Sequence, residues 1–573
     1  MGGDGQVSRR RPGATAGGAL TGLALGLLAL GPGLGQGYLL VYDMVFVPAP
    51  RFSAAMFGLS GTLPRAVPSD AVVTAVAQLL PADVVQKGVL LAIFVLASAG
   101  VARLLDGEPW PARIAAGVFY AWNPYVAERL LIGQWALLLG YAGLPWVLAA
   151  LTKPALSVAR RSVRLLVALL PAAVGGFAAM AVCALVVLPA AALQRGGRRA
   201  PTRGDDPPEP PAMLSRGDDP PELPAMRVAT VAMALAVLTL LSLPWLIPSL
   251  TRAVRTSPAG VALFAARADT PFGTVGSVLL LGGSWNAQTV PAGYSSAVTA
   301  FWLVLVVVAI AGLLLLGRGR WPGVGPAAVA GLIIALLGAF GPGRHLLEWA
   351  ISSWPYFAVL RDGQQFAAPL ALAEALGFGL AVGWVLRVAR PAVLREARAV
   401  LAAALVIAPV LFLPGLGWGA AGRLRPVQYP ATWLAARRII NADEHGGSAL
   451  LLPWAAYRRP GWNNAEAVLD PWPRLLTRAV IWNDGVAVGS VELPPENPGA
   501  AALTGLISAG RPLTERLAAA GVRYVIIDAS LQAPAGPSTA RASAAQLLPG
   551  STIVYRAPGL AVYRIPSSRP RVQ

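Results

Sequence analysis

The chain has 573 residues, of which 56% are hydrophobic and only 13% charged, with a mean hydropathy of +0.60. Soluble domains run nearer about 25% charged, so this much apolar surface cannot hide in soluble cores, and the composition specifies a multi-span membrane protein. The net charge of +19 does not mark a nucleic-acid binder, because most arginines stand in short clusters between apolar runs, where cytoplasmic loops carry them.

Cys183 is the single cysteine, which excludes an intramolecular disulfide. With only His345 and His445 beside it, the sequence offers no histidine or thiolate metal site, and any metal would need carboxylates.

Arg9, Arg10 and Arg11 precede an apolar run, residues 14–34, that is longer than a signal-peptide core and lacks a small-residue cleavage site. It reads as a retained first span with a cytoplasmic N-terminus. The next stretch, GYLLVYDMVFVPAPRF (37–52), is too short and too broken by Pro48 and Pro50 to cross a bilayer, and too apolar to float free. It reads as a segment lying at the membrane surface, within an extracytoplasmic loop over 37–86. Its lone carboxylate, Asp43, is either a cap or turn residue or the first candidate for chemistry.

Spans are expected at 88–105 and 112–120, the latter ended by Trp122-Asn123-Pro124, because proline disfavours helix in the residue before it. NPYVAERLLIGQW (123–135) reads as a short interfacial helix carrying Glu128 and Arg129, followed by a span over 136–151 and a basic inner loop. Residues 165–193 are long enough for one tilted span or, broken at Gly175-Gly176, for a hairpin of two short ones, and the arginines that follow favour the parity of the hairpin. That parity puts the Arg- and Pro-rich stretch 195–227 in the cytoplasm. It holds a tandem copy, RGDDPPEPPAM at 203–213 and RGDDPPELPAM at 216–226, and has almost nothing apolar to bury, so it is expected to be disordered.

A seventh span over 228–247 leads to an outer loop at 248–297 with Arg252 and Asp269. Spans at 298–316 and 324–340 follow, then an outer loop at 341–367 containing VLRDGQQF (359–366), which supplies Arg361, Asp362 and Gln364. Glu374 lies inside the tenth span. A charge there costs on the order of 2.5–3.5 kcal/mol, so it faces the interior or a wet cavity, or pairs with Arg361 or Arg344 near the interface. The eleventh span, 399–417, places the remainder outside.

The tail, 421–573, has soluble punctuation: helical spacing over 432–441, a buried strand at 449–452, then helix, Gly521 and the strand VRYVIID, and finally a hairpin about Ala557-Pro558-Gly559. The expected fold is thus a mostly α, polytopic membrane bundle of about eleven spans over 1–420 with an extracytoplasmic α/β domain over 421–573. Trp110, Trp122, Trp135, Trp321, Trp349 and Trp354 near span ends suit an interfacial belt, while Trp462, Trp472 and Trp482 are available to stack on sugar rings.

Together, Asp43 after the first span, NPYVAERLLIGQW, RDGQQF before a late span and LAAAGVRYVIID in the tail resemble polytopic glycosyltransferases of the GT-C superfamily. Within it the chain is similar to the membrane region of cell-wall arabinofuranosyltransferases and to YfhO-like membrane proteins. The resemblance implies transfer of a sugar, arabinofuranose or mannose, from a polyprenyl-phosphate donor to an envelope glycan acceptor on the outer face of the cell membrane. Asp43 would be the catalytic base, Arg361, Arg129 and Arg252 the donor-phosphate ligands, and Asp362, Gln364, Glu128 and Glu374 further substrate-site candidates. The chain departs from the pattern in that Asp43 stands between Tyr42 and Met44, where many members carry a pair of acids. A divalent cation as cofactor stays open on that account. Two other classes compete: a flippase or transporter of a lipid-linked glycan, against which stands the lack of a two-fold repeat of spans, and a non-catalytic scaffold for envelope assembly.

Overall fold

The computed structural model describes residues 13–59, 64–152, 157–194, 222–251, 256–388, 395–488, 491–529, 531–532 and 544–566. The apolar runs become helices: α1 (Gly13–Leu30), α2 (Ala82–Leu104), α3 (Trp110–Ala121), α4 (Pro124–Leu131), α5 (Trp135–Thr152), α6 (Val158–Gly175), α7 (Phe177–Ala192), α8 (Glu222–Leu250), α9 (Thr299–Leu316), α10 (Val324–Leu337), α11 (Gly341–Ser353), α12 (Ala368–Val388) and α13 (Arg395–Phe412). Among the described residues six segments are long and apolar enough to cross a bilayer, or seven if α10 and α11, bent by 87°, form one broken span. Each of the eleven anticipated spans coincides with a helix, but several are short. The 12 residues of α3 reach roughly 18 Å at 1.5 Å per residue, against a hydrocarbon core about 30 Å thick.

Small residues let these helices approach closely. A Cβ on Gly22 of α1 would lie 2.4 Å from the Phe94 carbonyl oxygen of α2, so the two backbones meet where any larger residue would separate them. Gly176 (φ +78°, ψ −149°) divides α6 from α7 in a conformation open to glycine. Helix α6 runs back along α5, with Gly175 against Ala136, and α7 returns parallel to α5, so that Gln194 donates to the Leu151 carbonyl at 2.8 Å. Residues 165–193 therefore form the hairpin that the glycine pair suggests.

One end of the bundle is tied by Glu108, in the turn between α2 and α3, which accepts hydrogen bonds from Arg320 beyond α9 (2.7 Å) and Arg387 of α12 (2.5 Å). At the same end Arg161 joins α6 to Gln194 and to Thr230 of α8 (2.9 and 3.1 Å). The other end, where Asp43 lies, gathers the long loops and the tail. Two boundaries differ from expectation. Helix α2 starts at Ala82 instead of 88, because Gln86 and Lys87, which look like flanking polar residues, are buried and bond the backbone of Leu39 and Gly37. Helix α8 begins at Glu222, inside the stretch read as linker; residues 195–221, with the first repeat copy, lie outside the described residues.

The strands are β1 (Tyr38–Leu39), β2 (Pro426–Val427), β3 (Ser448–Leu452), β4 (Tyr457–Pro460), β5 (Val468–Leu469), β6 (Val480–Ile481), β7 (Val486–Val488), β8 (Val491–Leu493), β9 (Val522–Asp528), β10 (Leu531–Gln532), β11 (Thr552–Ala557) and β12 (Leu560–Arg564). The main sheet has the order β11-β12-β9-β3-β6; β3 runs parallel to both β9 and β6, and the β11–β12 hairpin turns at Pro558-Gly559. Helix α14 (Ala431–Ala442) buries Trp433, Ala436 and Ile440.

This tail is not docked at arm's length. Strand β1 pairs with β2, and Tyr42 bridges Val468, so the loop after α1 is built into the tail. One apolar cluster runs from the bundle through 38–47 to Trp433, Val468 and Trp472, while Leu450, Leu452, Leu503, Ile507 and Leu513 make a second cluster within the tail. Trp472 is buried and stacks on Trp433 at 4.7 Å, which makes it part of the core and removes it as a sugar platform, while Trp462 is half-buried and packs on Tyr429 and Trp433. Trp482 is half-buried. Of the proposed belt, Trp110, Trp349 and Trp354 are exposed, but Trp122, Trp135 and Trp321 are buried in packing contacts.

Candidate active site

Asp43 sits in a tight turn, Val41–Met44, in which Met44 N–H donates to the Val41 carbonyl (2.8 Å) and Tyr42 adopts φ +41°. Asp43 N–H donates to the Ile132 carbonyl at the end of α4 (3.1 Å). Gly133 makes that approach available: a Cβ there would lie 2.2 Å from the Met44 nitrogen. On the far side Tyr457 of β4 donates its hydroxyl to Asp43 Oδ1 at 2.6 Å. The carboxylate is thus clamped between the bundle and the tail. Burial pushes its pKa above the ordinary value, against the Tyr457 hydrogen bond and the nearby Arg65 and Arg474, which lower it. Burial, and then the Asp43 charge, hold the Tyr457 phenol well above its ordinary value, so Tyr457 remains a donor.

Around Asp43 the structure assembles cations from distant parts of the chain. Arg361 donates to Glu496 Oε1 at 2.9 Å, and Arg65 closes on Glu496 Oε2. Glu496 is therefore an anion held by two guanidinium groups; burial works to raise its pKa but Arg65 and Arg361 outweigh it and keep it ionised. Arg474 donates to Asp70 at 2.7 Å. Asp362, close enough to Asp43 to act on it electrostatically, lies 3.6 Å from Arg129 and accepts from Gln134 at 3.3 Å, while Arg129 also donates to Gln134 at 2.8 Å.

Helix α4, which supplies Arg129, is started by Asn123, whose side chain accepts from Val126 N–H (3.0 Å), with Pro124 at the first helical position. The expectation of an interfacial helix needs correction. Both Glu128 and Arg129 are 1% exposed, because the loops that carry Asp43, Asp269 and Asp362 close over α4. Glu128 lies beside Asp269; burial and then that second carboxyl push its pKa well up. Gln364 donates to the Phe264 carbonyl at 2.9 Å and keeps a buried, unpartnered Oε1. Glu374 is also 1% exposed, and neither carboxylate oxygen has a hydrogen-bond partner. It does not pair with Arg361, which Glu496 holds, nor with Arg344, whose Nε donates to the Gly338 carbonyl at 3.3 Å.

The structure thus brings Asp43, Asp362, Arg129 and Arg361 to one site, with Glu128, Gln364 and Glu374 buried in the adjoining elements. Arg252 lies outside the described residues. Arg65, Tyr457, Arg474, Glu496 and Gln134 escape a reading of the sequence. Gln134 alone had a signal, its place beside Gly133 in the IGQW segment. Among the described residues no three His, Cys, Asp or Glu side chains form a group able to hold a metal ion.

The structure is a helical bundle with a carboxylate turn after the first helix, a buried short helix beneath that turn and an α/β tail paired with the loop that carries it. The chain is similar to the cryo-EM structure of the arabinofuranosyltransferase AftD from Mycobacteria, with a TM-score of 0.59 and 18% identity over 97% of this chain and 40% of that one. A mutant of AftD gives a TM-score of 0.61 at the same identity, over 97% of this chain and 42% of that one. This chain spans less than half the length of that protein, and at this identity the likeness is one of fold. No protein-family model matches the sequence, and no curated protein sequence matches it.

Proposed function

We propose that the chain is an inverting glycosyltransferase of the cell membrane, with its Glu108 end in the cytoplasm. It moves a sugar, arabinofuranose or mannose, from a polyprenyl-phosphate donor to an envelope glycan on the outer face. The observation that carries this reading is an anion gripped by two arginines, Glu496 between Arg65 and Arg361, with Arg65 near enough to Asp43 to act on its carboxylate. A donor phosphate exchanging with the Glu496 carboxylate would take the same guanidinium donors, whose fork matches phosphate oxygens. The acceptor hydroxyl then attacks the anomeric carbon on the face opposite the phosphate. As the new C–O bond forms and the bond to phosphate oxygen breaks, Asp43 takes the hydroxyl proton and polyprenyl phosphate leaves with its electron pair. Tyr457 fixes the orientation of Asp43, and burial, by raising its pKa, makes it a better base than a free aspartate.

The test is transfer of a radiolabelled sugar from polyprenyl phosphate by the protein in nanodiscs, alongside a donor-binding titration. Wild-type transfer by Asp43→Asn would end the catalytic assignment. A second reading, the non-catalytic scaffold, draws on the same pairing, since Arg65, Arg129, Arg361 and Arg474 each already face a carboxylate. It requires that no donor bind, which the titration decides. Reporter fusions after Arg164, Arg320 and Arg398 are expected to report cytoplasm.

A further inference from the structure

At the Glu108 end of the bundle, a groove opens between α2, α5 and α6, with a volume of about 390 Å³ and a lining of Leu96, Arg103, Trp146, Ala149, Arg164 and Val167 among others. It lies at the opposite end from Asp43, and its argument does not use the transferase reading. The walls are apolar, and the small residues Ala149, Ala150 and Ala168 leave them set back. Trp146 is pinned across the floor: its indole N–H donates to the Leu96 carbonyl at 2.9 Å, and the absence of a side chain at Gly100 leaves room for the ring, since a Cβ there would lie 2.7 Å from Trp146 Nε1. The Arg103 guanidinium rests 5.5 Å from the Trp146 ring centroid.

The charges are the unusual part. Glu108 takes Arg320 and Arg387, Asp106 takes Arg113, and Arg161 has Gln194 and Thr230, while Arg318, outside the groove, bonds the Leu314 carbonyl. Arg103 and Arg164 face one groove with no ion-pair partner among the described residues. Arg103 lies in the last turn of α2, and Leu96 is seven residues deeper, roughly 10 Å at 1.5 Å per residue. An apolar slot of that depth below two unpaired cations, with an aromatic ring at the boundary, has the chemistry of a phospholipid: a phosphate at the arginines and the upper acyl chain along Leu96, Val167 and Pro171.

We propose that this groove is a binding site for an anionic glycerophospholipid of the adjacent leaflet. The anionic class is favoured because two cations facing one phosphate call for a net negative headgroup, whereas a zwitterionic headgroup cancels its phosphate charge with its own amine. The full-length protein in a neutral detergent is titrated with phosphatidylglycerol and with phosphatidylcholine, and retained lipid is read by native mass spectrometry. Phosphatidylglycerol is expected to be preferred, and each of Arg103→Gln and Arg164→Gln to weaken it about fivefold, the effect of one basic residue near a membrane surface. Arg164 is exposed, so Arg164→Gln tests the site without disturbing the fold. Arg318→Gln, at the same end but outside the groove, is expected to leave the preference unchanged, and Ala149→Phe to exclude both lipids by filling the slot. Equal retention of the two lipids, or an undiminished preference in the double Arg103→Gln/Arg164→Gln variant, would overturn the proposal. So would displacement of phosphatidylglycerol by millimolar inorganic phosphate, which would mark an anion site indifferent to acyl chains.

Discussion

The two ends of the bundle handle buried carboxylates in opposite ways. At one end Glu108 is closed off by Arg320 and Arg387, and both its oxygens are used. At the other, Asp362, Glu128, Gln364 and Glu374 keep buried oxygens without partners, and Arg129 keeps an unpartnered Nε. A satisfied cluster ties helices together and asks for nothing more, whereas unsatisfied acceptors near a clamped base cost stability unless water or a ligand completes them. The contrast separates a structural lock from a place where chemistry is expected.

The largest effect should come at Asp43, the proposed base. Asp43→Asn retains shape and most hydrogen bonding but cannot accept a proton, so transfer should fall about a hundredfold or more with the melting curve unchanged. Because Asn caps as well as Asp, unaltered rate and stability would instead return Asp43 to a turn residue. Next comes Arg361→Gln, which removes one charged donor to the proposed phosphate and should raise the KM for donor about tenfold, the scale of one hydrogen bond to a charged group. Glu496→Gln should act oppositely and lower that KM, since a neutral amide competes less than the carboxylate for the same two arginines.

At the other end, Glu108→Gln should leave turnover per folded molecule intact while lowering stability by on the order of 1 kcal/mol. The figure is discounted because Arg320 and Arg387 are partly exposed. Burial acts to raise the Glu108 pKa, but hydrogen bonds from Arg387 and Arg320 outweigh it and leave it depressed. Its stabilisation is therefore present above the unfolded carboxylate value and lost as pH falls through the folded one. Melting curves of wild type and Glu108→Gln should converge in acid.

A smaller and more diagnostic effect belongs to Tyr457→Phe. Its hydrogen bond lowers the Asp43 pKa, so its loss should move the acidic limb of the rate profile to higher pH, because a base works only when deprotonated. An unmoved limb would detach Tyr457 from the base. The smallest effect is expected from deleting the first repeat copy, residues 203–213, whose composition has nothing to bury and whose removal changes loop-closure entropy little. Removing the second copy should be worse tolerated, because its end forms the start of α8.

Much of this protein was determined by the sequence alone, wherever the signal is local. Hydropathy gave the helices of the bundle, the Gly175-Gly176 pair gave the hairpin, and in the tail the helix, Gly521 and VRYVIID strand and the final hairpin lie where periodicity and turn residues put them. Asp43, Arg129, Arg361 and Asp362 could be named because each is a charge in a setting that disfavours charge. Only the tertiary structure decided which charges meet. Arg65, Tyr457 and Arg474 have ordinary sequence surroundings, and they reach Asp43 across 22, 414 and 431 positions of chain, respectively. It also decided that Trp472 is core and that α4 is covered, because burial depends on what packs above a segment, and Asp269 and Asp362, which meet Glu128 and Arg129 of α4, lie 141 and 233 positions further along the chain. Local propensity and hydropathy are written in neighbouring residues; an ion pair between distant loops is written in none of them.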